Sequence, residues 1–366
     1  MSHQPDLLYT EEEEALRSAV RDLLADHCDA ATVQTRAESD EPHDRALWKN
    51  LAESMGLAGL LVPEERGGQG ATHREAAVVL EELGRAVAPV PYLTSAVVAT
   101  EALLACEGEE AATLLAALAS GRTVGALAVP LSDRAPRDEW SVRADAAALT
   151  GAVTGVADAA AADVFLVPTA DGLFAVDAGA SGVTVTPQTS LDRTRPLAAV
   201  AFDGAAGRLL APTAAPAVRR ALRAGAGLLV SEQLGLSEWL LTETVRYTRE
   251  RNQFNRPVGS FQALKHRLAQ LWLETVNLKA AARGAADALA AGSEDADIAV
   301  AVAQAYAAPV AVHAAEEALQ LHGGIGMTWE HPIHLYLKRA KADSIALGTA
   351  GRHREELAEL VELWAP

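Results

Sequence analysis

The chain has 366 residues, 50% of them hydrophobic and 4% aromatic, and 49 acidic against 31 basic side chains leave a net charge of −18. That length asks for two or three structural regions, and an alanine-rich, aromatic-poor interior asks for closely set helices. The charge argues against nucleic acid as a partner, since phosphate neutralisation needs a basic face. Cys28 and Cys106 form neither a disulfide framework nor a metal spacing, so a reducing cytoplasm is expected.

From the start, MSHQPDLLYTEEEEAL turns acidic where a signal peptide would need an apolar stretch, so none is expected. Leu16, Val20, Leu23 and Leu24 keep a helical period, and LWKNLAESMGL is a second helical run ended by glycine. Pro63 and the glycines of residues 67–70 mark a loop; another helix is predicted from about Thr72 to Arg85, stopped by APVPY. From Thr123 to about Leu210, short runs such as VGALAV, VFLVP, LFAVD and VTVTP alternate with Gly, Asp and Pro, the pattern of strands and tight turns. From Pro216 onward the period is helical again, with Leu264, Leu268 and Leu271 on one face. The apolar run from Ile298 to Ala315 carries Gln304, Pro309 and His313 and reads as a buried bundle helix, not a membrane span.

Helices, then strands, then helices give an α+β arrangement. We expect an N-terminal α-helical domain over 1–122, a central sandwich- or barrel-like β-domain over 123–213, and a C-terminal four-helix bundle over 214–366. No GxGxxG follows a strand, which argues against a Rossmann dinucleotide fold.

Two stretches carry chemistry. RYTRERNQFNRPVGSFQALKHR, Arg246 to Arg267, holds six Lys/Arg and one acid in an otherwise acidic protein. It suits a pyrophosphate or another multiply charged anion, or it is simply a solvated helix face with a loop at 255–260. QLHGGIGMTWEHPIHLYLKRAK, Gln320 to Lys341, places paired glycines after a helix, where they serve a phosphate approach or a C-cap equally well. His322, His331 and His334 suggest a metal, but they are split between a loop and a new helix and lack a carboxylate or thiol, so no metal site is assigned. Trp329, Leu335 and Tyr336 are expected in the core.

Together, RNQFNRP…FQALKHR and QLHGGIG…HLYLKRAK resemble the C-terminal domain of the acyl-CoA dehydrogenase family. LVPEERGGQG and VLEELGRAVAPVP resemble its first domain; DAAAADVFLVP and TSLDRTRPLAAVAFDGA resemble its β-domain. The resemblance implies FAD shared between the subunits of a homo- or hetero-oligomeric dimer or tetramer, an acyl-CoA thioester substrate, and an electron-transfer flavoprotein or similar acceptor. It implies that Arg251, Asn252, Gln253, Phe261 and Gln262 contact FAD bound mainly to a neighbouring subunit. By the same resemblance Gln320, Leu321, His322, Gly323 and Gly324 line the adenine and pyrophosphate side, with Gly348 and Thr349 near the same cofactor.

The family's reaction needs a base for the thioester α-proton. The resemblance puts that base either immediately before the Gly-Thr turn, here Leu347, or on the first helix of the last domain, here Gly225; neither accepts a proton. Glu232 is the substitute candidate, two turns beyond Gly225 and about 10 Å further along the axis, though it also reads as a buried polar group bonded to a neighbouring helix. Asp343 is the other acid nearby, with Lys338, Arg339 or Lys341 as expected ion-pair partners. The β-domain's Thr-Glu-Pro phrase is replaced by AVPLSDRAPRDEW, where Ser132 offers one hydroxyl and Trp140 anchors the loop. Three outcomes are open: a dehydrogenase using an unrecognised carboxylate, a structural subunit sharing FAD with a competent partner, or a flavin oxidase or monooxygenase on the same fold.

Overall fold

Thr10 starts the first helix, α1 (Glu11–His27), through a reciprocal capping box with Glu13, and Thr72 does the same for α4 (His73–Ala86) with Glu75. Between them lie α2 (Ala30–Glu38) and α3 (Arg45–Lys49), the latter continuing as a wide turn to Ser54 before Gly56 reverses the chain at φ +73°. After α4 the buried turn Tyr92–Ala99 leads into α5 (Thr100–Leu104) and α6 (Glu109–Ala119). The structure is a computed structural model that describes residues 6–137 and 139–363; the outer ends of the two expected helical domains, and Asp138, lie outside the described residues.

Eight strands follow: β1 (Gly125–Leu127), β2 (Val142–Asp145), β3 (Ala148–Ala157), β4 (Val164–Thr169), β5 (Gly172–Asp177), β6 (Val183–Gln188), β7 (Leu197–Ala206) and β8 (Arg208–Ala211). They form two four-stranded sheets, ordered β1-β4-β5-β8 and β2-β3-β7-β6, antiparallel except for the β1–β4 pair. Strand alternation points Phe165, Val167 and Phe174 of one sheet at Val153, Val200 and Phe202 of the other, and the Phe165 and Phe202 rings meet edge-on at 6.2 Å.

Three long helices, α7 (Ala215–Glu250), α8 (Gln262–Ala290) and α9 (Ala296–His322), pack on one another, and α10 (Ile333–Asp343) and α11 (Ala350–Leu360) complete the bundle against α9. A two-residue turn at Phe254 and Asn255, both left-handed, joins β9 (Asn252–Gln253) to β10 (Arg256–Pro257) between α7 and α8. The apolar run of α9 buries Ala303, Ala307 and Ala311, and Gln304 donates to the Ala226 carbonyl of α7 at 2.6 Å. Of the residues expected in the core, Leu335 and Tyr336 are buried, but Trp329 is 61% exposed, with its ring beneath the Lys338 ammonium at 4.2 Å. An indole face offers a cation an attraction that an aliphatic side chain cannot, which makes its surface place tolerable.

Helix α4 ties the first and last regions together because glycine stands at both crossing points. A methyl group at Gly235 of α7 would lie 1.8 Å from the Glu81 carbonyl oxygen, and one at Gly84 of α4 would lie 2.2 Å from that of Glu232. These contacts are to backbone, so neither helix can yield without moving the other. Gly235→Ala is therefore expected to cost about 1–3 kcal/mol, read as a lowered denaturant midpoint. An unchanged midpoint would mean that the helices do not approach this closely.

Candidate active site and nucleotide groove

A groove of about 610 Å³ opens where the end of α7, the start of α8 and the end of α9 meet. It is lined by Tyr247, Arg251, Gln253, Val258, Leu264 and Arg267 on one side and by Gln320 to Ile325 on the other. Thus Arg251, Gln253, Gln320, Leu321, His322, Gly323 and Gly324, separated by up to about seventy positions in sequence, come together. The Arg251 guanidinium has no partner among the described residues. His322 is 2% exposed, and its Nε2 is buried with nothing to bond to. Gly323 takes φ +61°, and nothing lies within 4 Å of where a side chain would start on it or on Gly324, so a ligand can approach the backbone closely there, while the Gly323 amide donates to the Gln320 carbonyl. An unpaired cation, a buried unsatisfied ring nitrogen and bare glycine backbone suit the phosphate and base of a nucleotide.

The remaining predicted contacts sit apart from this lining. Asn252 and Gln262 are exposed on the hairpin and the first turn of α8, and the Phe261 ring lies 3.8 Å beneath the Arg256 guanidinium. Gly348 and Thr349 belong to another part of the surface: Gly348, at φ +102°, packs against Arg134, and the Thr349 hydroxyl caps α11 by accepting from the Arg352 amide. Tyr247 and Arg267 join the groove without having been singled out from sequence. Their one signal was position, since both fall inside the basic stretch one helical turn or so from its marked residues.

A second crevice, about 370 Å³, lies between the β-domain and α10; Pro130, Leu131, Ser132, Gly155 and Leu191 face Lys341, Ala342, Ile345 and Ala346 across it. Pro130 and Leu131 also wall a much smaller void of about 30 Å³, shared with Leu93, Thr94, Val98, Leu127, Val129, Ala157, Leu222 and Leu347. The two positions that sequence marked for a base converge here. A methyl group at Gly225 would lie 3.2 Å from Leu347 Cδ1 and 2.8 Å from Val98 Cγ2. The void has room for about one water, and among the described residues no free carboxylate lines it: Thr94, its polar side chain, donates to Asp158, whose other oxygen bonds His43 at 2.9 Å.

Glu232 faces elsewhere. Its Oε1 accepts from Arg339 at 2.6 Å, its Oε2 accepts from Arg195, and it is 2% exposed. Burial alone would raise its pKa, but the Arg195 and Arg339 guanidinium groups hold it down at about 2. Asp343 pairs with Arg195 of the β-domain at 2.9 Å, not with the lysines or the arginine of its own helix, and Asp192 pairs with Arg339 at 2.7 Å. Burial first, then the neighbouring Glu232, push the Asp343 carboxyl well above the usual range. These five side chains staple the loop before β7 to α7 and α10.

The N-terminal-domain profile of acyl-CoA dehydrogenases matches residues 10–122, and the C-terminal-domain profile matches residues 215–361. Acyl-CoA dehydrogenase IpdE2 of Mycobacterium tuberculosis is 36% identical over 355 residues, covering 97% of this chain and 98% of that protein. The chain belongs to the acyl-CoA dehydrogenase family. That family consists of FAD-dependent oxidoreductases, and its architecture accounts for the three regions above. Among solved structures, the ChsE4–ChsE5 complex from Mycobacterium tuberculosis superposes with a TM-score of 0.89 at 29% identity, covering 99% of this chain and all of that one. The Tcur3481–Tcur3483 steroid acyl-CoA dehydrogenase gives 0.86 at 31% identity, over 96% and 98%.

With both carboxylate oxygens held by guanidinium groups, Glu232→Gln is expected to destabilise the fold by about 3–5 kcal/mol, as removal of one partner of a buried ion pair does. Thermal unfolding should register it. A variant with an unchanged midpoint but lost turnover would instead mark Glu232 as a base.

Proposed function

We propose that this chain is the cofactor-sharing subunit of a mixed acyl-CoA dehydrogenase: it holds the nucleotide half of FAD for a partner that owns the catalytic base. The carrying observation is the apolar contact between Gly225 and Leu347. The two base positions meet there, and the void of about 30 Å³ that Leu347 lines is too small for a thioester and has no free carboxylate among the described residues. When FAD is bound, the family's chemistry takes the thioester α-proton with a base and gives the β-hydride to the flavin. Losing the base forfeits about 10²–10⁴-fold in rate while leaving the groove intact.

The groove fits the role. Arg251 and Gln253 would hold phosphate and ribose oxygens by charged and amide donors, and Gly323 and Gly324 would let the cofactor approach the backbone closely. The crevice beside Ser132 and Ala346 has room for part of a ring system. Support for a mixed assembly comes from the solved relatives, of which one is a ChsE4–ChsE5 complex and another a Tcur3481–Tcur3483 pair described as a steroid acyl-CoA dehydrogenase. On this reading the partner recognises the acyl group, a steroid-type thioester is the first to try, and an electron-transfer flavoprotein or similar carrier reoxidises the flavin. The two unpaired thiols fit a cytoplasmic setting.

The test is to purify the chain alone and with a family member that keeps its glutamate, then assay bound FAD and dye reduction by acyl-CoAs. Activity is expected only in the mixture; robust turnover by the isolated chain overturns the proposal. Arg251→Ala in this chain should weaken FAD retention by the mixture at least about 10-fold, the worth of a charge-assisted bond. Leu347→Glu in the isolated chain should remain inactive, because a carboxylate placed there still faces a void of about 30 Å³ with no room for the thioester.

A further inference from the structure

Sequence left His322 and His331 without a carboxylate, but the fold brings one from 79 positions away. A carboxylate oxygen of Glu243, on α7, and one nitrogen from each imidazole lie within 4.8 Å of one another. His331 Nε2 stands 3.5 Å from Glu243 Oε1. His322 Nδ1–H donates to the Ala318 carbonyl at 2.8 Å, which fixes the tautomer and leaves the buried, unpartnered Nε2 as its free lone pair. The ring is held between Tyr247, stacked at 4.3 Å, and His331 at 4.5 Å.

We propose that Glu243, His322 and His331 form a site for one borderline divalent cation, Zn²⁺ being the best match, with a fourth position open to water. Two imidazole nitrogens and one carboxylate oxygen are a Zn²⁺ ligand set, and tetrahedral bonds of about 2.1 Å need the ligand atoms about 3.4 Å apart. The closure falls on His331, in the turn before α10, where the Ile333 amide reaches Nδ1 only at 3.4 Å and is readily released. Arg246 now holds both Glu243 oxygens, but it is 55% exposed, and a pair of that kind yields at little cost. Because His322 directly precedes Gly323 and Gly324, the ion would lock the groove's glycine turn to α7. The cation site does not rest on the cofactor-sharing reading, since binding is measured directly on the isolated chain.

The experiment treats the full-length chain with chelator, then titrates Zn²⁺ by calorimetry and Co²⁺ by visible absorption. One ion per chain is expected, with the intense bands of four-coordinate Co²⁺. His331→Ala and Glu243→Gln should each weaken binding at least about 10-fold, and Arg246→Ala should tighten it by removing the competing cation. Circular dichroism confirms that each variant is folded; should one fail to fold, the other two carry the comparison. Equal affinity in all variants, weak six-coordinate Co²⁺ spectra, or no stoichiometric binding would each overturn the site.

Discussion

Two buried guanidinium groups, Arg195 from the loop before β7 and Arg339 from α10, hold Glu232 of α7 between them, and the placement of the rest depends on that grip. Asp343 and Asp192 close the cluster, so three acids face two bases with hardly any water. Burial and the neighbouring Glu232 push the Asp343 carboxyl upward, toward its neutral form, while the two guanidinium groups offset the charge of the other acids. Such a cluster adds little net stability compared with apolar packing, but its directions are strict. It fixes the β-domain loop against α7 and α10, and the crevice bearing Ser132, Leu191 and Ala346 is the gap that remains between those elements.

How much of this was legible in the sequence follows from the range of the interactions. Helix caps, the period-two strands and the glycine after α9 are local, and they could be read directly. The groove was legible through its motifs, because Arg251, Gln253 and the residues around Gly323 sit in short, chemically unusual stretches of an acidic chain. The Glu232 cluster was not. Its partners come from positions 192, 195, 339 and 343, and Arg195 of the β-domain loop reads as solvated until the fold buries it. Glu243 was hidden for the same reason, being one acid among several on a long helix until α9 delivers His322 beside it. Trp329 went astray because composition assigns an indole to the core, while a neighbouring lysine can hold it at the surface.

The Gly-Thr turn near the end of the chain serves two purposes at once, and that explains why it persists without a reactive side chain. Thr349 caps α11, Gly348 packs beside Arg134 at a φ that side chains avoid, and the Leu347 amide donates to the Leu131 carbonyl at 2.7 Å. Leu347 itself adopts φ +54°, a left-handed conformation costing about 1 kcal/mol or more for a branched residue. Burying its side chain against Leu222, Val98 and the hydrogen surface of Gly225 returns about 1.5–3 kcal/mol. A carboxylate in that spot would have no such return. It would lose hydration among apolar neighbours and find no donor, since Thr94 is already committed to Asp158. Where a partner subunit carries out the proton transfer, the fold therefore gains stability by filling the site with leucine, and the backbone frame remains because it is needed to start α11 and anchor the β-domain loop.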